Sequence, residues 1–335
     1  MSGGKMFGVT MGVLLGLLSI ASACAWATMI RMPGEGRPEA LPEPEPAAVE
    51  RLVGAVRHLA GTLGERNLGD HPEALAGARD WIRAELEAAG LEVTLEHVPP
   101  FDEDVGNLIV ELPGERSEVV LVGAHYDSVL GTPGADDNAS GVAALLELAR
   151  RFARRHAEDR PARTLRLVAW VNEEPPYFKE PTMGSLVNAR NAAGRGDPLL
   201  AALSLESIGY FDPGKGSQRY PFPLSLFYPS RGDFLAFVGD RDSEALVRRC
   251  VKVFRERGTL PSEGAALPGE MPGVSWSDHW SYWQTGVPAV MVTGTAPFRD
   301  PHYHEPTDTP DRIDGRRLAL AVDGLEAVLE DLLEN

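Results

Sequence analysis

At 335 residues the chain is long for one domain, but an α/β enzyme with loop insertions fills that length as a single unit. Its formal net charge of −17 argues against a nucleic-acid or anionic-membrane surface, since both need clustered Lys and Arg. Two cysteines, Cys24 and Cys250, exclude a disulfide framework or a Cys-based zinc site as the organising principle.

The first element is an uncharged run from Met6 to Ile30, set between Lys5 and Arg31. It is long enough for a membrane anchor, which takes ~20 apolar residues. Ala21-Ser22-Ala23 also offers the small-x-small cleavage site of a signal peptide. A lipid-modified Cys24 is a third option, with Ala21 rather than a large aliphatic residue three positions before it. Residues 1–31 are therefore a signal peptide or an N-terminal anchor. Either way the body lies outside the cytoplasmic membrane, anchored and facing the periplasm or exterior, or secreted after cleavage. Residues 32–46, MPGEGRPEALPEPEP, read as a Pro/Glu-rich linker, extended and solvated.

The body occupies residues 47–335. An apolar stripe at helical spacing covers 47–63, and a second helix covers 71–89, stopped by Gly90. Strands are expected at 91–98, 107–112, 118–124, 164–171, 202–206 and 288–294, with helices at 139–155 and 314–333. Buried strands alternating with helices predict an α/β fold, a mixed central sheet with helices on both faces. Residues 210–275 break the rhythm with an aromatic, Pro-rich stretch, a strand FLAFVG and a helix near 242–257. They read as an insertion beside the site, with Tyr210, Phe222, Phe227 and Phe234 as pocket wall for apolar or aromatic substrates.

Almost every cluster of candidate ligands follows an expected strand, and in open α/β sheets the functional crevice lies at the strands' carboxyl ends. His125 and Asp127 are two apart on an extended segment and face one side. A ligating His commonly gives its second ring N–H to a carboxylate, although an isolated HxD pair is more often a surface hydrogen bond. GADDNASG (134–141) precedes a helix and reads alone as a turn and cap. A carboxylate fixed by such a turn is also what bridges two cations only ~3.5–4 Å apart. Glu173 and Glu174 end an apolar strand and are followed by Pro175-Pro176. One could ligate metal while the other stays free as a base, provided the strand end bends to bring both to one side. Glu206 lies in the apolar setting LSLESIGY, and His302, Tyr303 and His304 alternate so that one His and the Tyr could border the site. His58, His71, His97 and His156 read as structural, with no acidic partner nearby.

Together, HYD, GADDNASG, NEE, LESIGY, SDH and HYHEPTDT resemble the zinc exopeptidase superfamily of aminopeptidase Y, bacterial leucyl aminopeptidases, transferrin-receptor-like proteins and glutaminyl cyclases. The resemblance spans roughly residues 50–333. It implies a single-domain zinc-exopeptidase-like fold and two Zn²⁺ ions. His125 and Glu206 would hold one, Glu174 and His304 the other, and Asp137 would bridge them. It further implies Glu173 as general base and Tyr303 polarising the scissile carbonyl; Asp127 orienting His125 is the reading of the HxD pair itself. It implies a peptide substrate with a free N-terminus, and often a cis bond after the bridging Asp. Glu206 departs from the commoner Asp at its position. Ser277-Asp278-His279 matches a segment near the site without a direct role. Alternatives within the resemblance are a single-zinc acyltransferase like glutaminyl cyclase, a non-catalytic receptor-like ectodomain, and a carboxypeptidase or an amidohydrolase of non-peptide amides. The oligomeric state is not legible.

Overall fold

The computed structural model describes residues 29–38 and 40–335. The candidate signal or anchor segment, Cys24 included, lies outside the described residues apart from its last three. Among the described residues no helix is long and apolar enough to cross a membrane.

Eight strands form one sheet in the order β1-β2-β4-β3-β5-β8-β6-β7. In chain order they are β1 (Thr94–His97), β2 (Gly106–Leu112), β3 (Val119–His125), β4 (Thr164–Trp170), β5 (Leu199–Glu206), β6 (Leu235–Gly239), β7 (Ser262–Ala266) and β8 (Ala289–Thr293). The centre, β4-β3-β5-β8, is parallel, while β1, β2 and the β6/β8 pairing add antiparallel neighbours. The sheet is therefore mixed, as the sequence predicts. Every residue of β3 is buried, which explains its unbroken apolar run.

The six longer helices are α1 (Pro46–Val56), α2 (Pro72–Ala88), α3 (Gly141–Glu158), α4 (Gly184–Arg195), α5 (Glu244–Arg257) and α6 (Gly315–Glu334). Alternation along β3 sends Val120, Val122 and Ala124 into the core shared with α1, α3, α5 and α6. Leu121 points the other way, to Trp170, Ala189 of α4 and Tyr282. Pro46 and Pro72 start α1 and α2, where a missing N–H costs nothing.

Two parts of the chain hold more structure than the sequence reading gives them. The segment 210–275, expected as an insertion, supplies β6, α5 and β7, and the two strands complete one side of the sheet. Strand β7 escapes the pattern because SEGAA holds neither β-branched nor aromatic residues. Residues 32–38 are fastened to the body, although Gly34, Glu35, Arg37 and Pro38 stay exposed. Met32 is buried in the main core, and Arg37 pairs with Asp233 at 2.9 Å.

On α3, Glu147 is 1% exposed and accepts from Arg51 (2.8 Å, twice), Arg150 (3.0 Å) and Arg151 (3.0 Å). Burial pushes its carboxyl up, but Arg51 and Arg151 prevail and hold it down at about 2. That stabilisation is present above the unfolded value near pH ~4.3 and is lost as pH falls through the folded value. Glu147→Gln is expected to cost about 2 kcal/mol at pH 7 in a urea titration. The gap from the unsubstituted protein should narrow as the pH approaches 2.

Candidate metal centre

Three strand ends and two loops deliver the candidate ligands to one point. His125 ends β3 and Glu206 ends β5. Glu173 and Glu174 follow β4. Asp137 sits in the turn Ala135–Ser140 before α3, and His304 in the loop after β8. The bend that the sequence does not show falls at Asn172, which has a φ of +61° and lies two residues after the end of β4. Ser207, after Glu206, and His304 itself also lie in the left-handed region, at +50° and +59°. Non-glycine residues adopt it rarely and hold it only where the surroundings enforce it. The turn carrying Asp137 begins at Gly134, φ +62°, where a Cβ would stand 2.3 Å from the Asp137 carbonyl oxygen. The Asp137-Asn138 bond is cis, as the resemblance leads one to expect.

Asp137 faces both imidazoles. Its Oδ1 is 3.3 Å from His125 Nε2 and its Oδ2 is 3.1 Å from His304 Nε2. Glu206 Oε2 approaches the same His125 nitrogen at 3.4 Å, and Glu174 Oε2 approaches His304 Nε2 at 3.4 Å. Among the described residues three donor sets result: His125/Asp137/Glu206 and Asp137/Glu174/His304, which share the Asp137 carboxylate, and His125/Glu173/Glu174. Glu173 Oε2 stands 3.9 Å from His125 Nε2. Tyr303 stacks on His304 with ring centroids 3.8 Å apart.

These side chains fit a bound cation. His125 Nε2, Glu174 Oε1 and His304 Nε2 are buried without a hydrogen-bond partner. With protein groups alone the charges are poorly matched. Burial pushes Glu173 well above the carboxylate range, against the pull of His125, and burial and Asp137 push Glu174 up to about 8. His304 rises to about 10 because Asp137 and Glu174 outweigh its burial. Divalent ions would relieve the crowded carboxylates and take the imidazoles in their neutral form.

A second layer fixes the first. Asp127 Oδ1 and Oδ2 accept from the backbone amides of Glu173 (3.1 Å) and Glu174 (3.0 Å). Its carboxylate is 3.5 Å from His125 Nδ1, which lies nearer the Asp127 carbonyl oxygen at 3.2 Å. Asp127 therefore positions the glutamate pair as well as the histidine. Asp308 repeats the device: its two oxygens accept from the amides of Asp136 (2.8 Å) and Asp137 (3.1 Å). Glu206 accepts from Ser207 (2.7 Å) and Ser277 (2.8 Å), so Ser277 has a part the sequence does not reveal. Arg66, fully buried, donates to the carbonyls of Leu59, Gly64, Tyr126, Pro133 and Gly134, tying β3 to the turn that carries Asp137. Asp308 and Arg66 lack any spacing signal. The TDT run is the one trace of Asp308.

Among the remaining histidines, His58 stacks on Trp81, while His97 and His156 meet carbonyl oxygens. His71 lies 3.4 Å from Glu65, an acidic partner the sequence reading does not supply. Beside Glu206 and Tyr303 opens an apolar pocket, partly open to solvent. Tyr220, Leu224, Phe234, Val274, Trp276 and Phe298 line it. Of the four aromatics expected there, Phe234 alone is a lining residue. Phe222 and Phe227 stay at the surface, and Tyr210 packs against His302.

Residues 107–328 match the model of peptidase family M28. The chain belongs to this family. It is thereby a hydrolase of the zinc-dependent metallopeptidase class. It is 38% identical over 300 residues to the uncharacterised protein YfbL of Escherichia coli (strain K12), covering 87% of this chain and 90% of that one. Leucine aminopeptidase 1 of Arthroderma otae is 27% identical over 245 residues, 69% of this chain and 59% of the relative. In fold, the M28 chain resembles the LapA aminopeptidase of Legionella pneumophila (TM-score 0.64, 15% identity, 86% of this chain and 74% of that one). It resembles the glutaminyl cyclase of Porphyromonas gingivalis similarly (TM-score 0.62, 20% identity, 85% and 98%).

Asp308→Asn replaces one acceptor oxygen by an amide that cannot accept from a backbone N–H. Zinc affinity is expected to fall about 10–100-fold, measured by chelator competition, with the far-ultraviolet circular dichroism unchanged.

Proposed function

We propose that this M28 hydrolase is an aminopeptidase with two zinc ions, His125 and Glu206 holding one, Glu174 and His304 the other, and Asp137 bridging. The observation that carries the reading is the Asp137 carboxylate, whose two oxygens face two imidazoles at 3.3 and 3.1 Å. When bound, a zinc pair lowers the pKa of a coordinated water to about 7 and polarises a carbonyl. Glu173, buried and raised in pKa beside that point, takes the proton from the attacking water and delivers it to the leaving amine. Asp127 keeps Glu173 aimed by holding its amide. The Tyr303 hydroxyl donates to the scissile carbonyl oxygen as it gains charge. The substrate's free α-amine sits beside Glu206, and its first side chain enters the apolar pocket.

The pocket lining favours apolar or aromatic first residues. The uncharged Met6–Ile30 run supports a body outside the cytoplasmic membrane, anchored or released by cleavage. The formal net charge of −17 speaks against a nucleic-acid partner.

Glu173→Gln should lower kcat on aminoacyl anilides by about 10²–10⁴-fold while zinc content stays at the unsubstituted level. Normal turnover in that variant would reassign the base. N-acetylation of the substrate should abolish cleavage. Ammonia release from an N-terminal Gln peptide, without anilide hydrolysis, would indicate a glutaminyl cyclase instead.

A further inference from the structure

The Pro-rich stretch ahead of α1 is fastened along one side of the substrate pocket. Gly36 O accepts from Ser262 N at 2.8 Å, beside the outer strand β7. Arg37 grips Asp233, just ahead of β6, through two bonds of 2.9 and 3.0 Å. From α5, Arg255 donates to Pro33 O at 3.0 Å and to Ser262 O at 2.7 Å, joining the stretch and the strand through one guanidinium. Met32 is 9% exposed, and its Cγ lies 2.9 Å from where a Cβ on Gly264 would stand. Gly264 is a pocket residue. Upstream, Met29 and Ile30 pack on the cluster of Leu224, Ala265, Leu267 and Val274, all of which also line the pocket.

Strand β7 ends the sheet and pairs with β6 alone. An outer strand with one partner is the least constrained part of a sheet. Here that strand forms a wall of the pocket, and Met29–Arg37 runs along it, with Met32 against Gly264 and Met29 and Ile30 on the cluster of Ala265 and Leu267. We propose that this segment is a strap that sets the depth of the pocket and thereby selects for bulky first side chains. This rests on the aminopeptidase reading. The strap touches no reacting atom, so Met32 and Arg37 are positioning residues acting through Gly264–Leu267. A large apolar side chain reaches that wall and loses contact when the wall recedes. An alanine side chain does not reach it.

The test is the full chain carrying Met32→Ala and Arg37→Ala, with Arg37→Ala alone as the milder variant in which Met32 stays in the core. Steady-state kinetics on phenylalanyl, leucyl and alanyl anilides should show KM for the first two raised about 10-fold, with kcat within twofold. Alanyl anilide hydrolysis and zinc content should be unchanged. An equal loss on all three substrates, or no change on any, overturns the proposal. Amide hydrogen exchange over 262–267 is read in parallel and should quicken in both variants; unchanged exchange also overturns it. If the unsubstituted chain cleaves none of the anilides, the aminopeptidase reading fails on its own, and the exchange result still decides whether the strap holds the wall.

Discussion

Burying a carboxylate away from water is costly unless it finds a cation or several donors. This chain buries Asp127, Asp136, Asp137, Glu173, Glu174, Glu206, Asp278, Asp300 and Asp308 around one end of one sheet. Much of the local architecture answers that concentration of charge. Backbone amides neutralise the outer members in pairs: Asp127 takes two, Asp308 takes two, and Asp136 takes those of Gly209 and Tyr210 at 2.6 and 3.1 Å. Buried arginines supply fixed positive charge, Arg66 behind the Asp137 turn and Arg299 near Asp136 and Asp300. The inner members, Asp137, Glu174 and Glu206, keep oxygens aimed at two histidines. Their remaining need is for a cation, which links the electrostatics of the fold to the chemistry of an M28 peptidase.

The same constraint accounts for local backbone geometry. A regular strand would turn Glu173 and Glu174 to opposite faces. The left-handed Asn172 and the clamp by Asp127 bring both to the site. Ser207 and His304 hold comparable conformations at two other corners. The second layer also couples the ligands to one another. Asp308 lies four residues after His304 in the same loop and grips the amide of Asp137, so it joins the two residues that share the second donor set.

The sheet was legible because its central strands are continuous apolar runs and its helices carry clear apolar stripes. Strand β7 was not, since SEGAA earns its place by pairing with β6 and packing under α5 rather than by its own propensity. The residues of the candidate site were legible as clusters at strand ends, but choosing among neighbours was not a matter of spacing. Asp136 and Asp137 look alike in sequence. In the structure one accepts backbone amides and the other faces the histidines. The roles of Asp308, Ser277 and Arg66 are not legible, because they arise from contacts across long sequence separations. The fastening of residues 32–38 is not legible for the opposite reason: a Pro- and Glu-rich composition describes how a segment behaves alone, and carbonyl oxygens that accept from Arg255 and Ser262 leave no mark in composition.

The central claim is that Asp137 holds two ions, one against each histidine. Anomalous diffraction at the zinc edge from crystals of the zinc-loaded protein tests it most directly. Two peaks of comparable height should flank the Asp137 carboxylate, one toward His125 and Glu206 and one toward His304 and Glu174, about 3.5 Å apart. A single peak at full zinc loading, or a pair that does not share Asp137, would contradict the account.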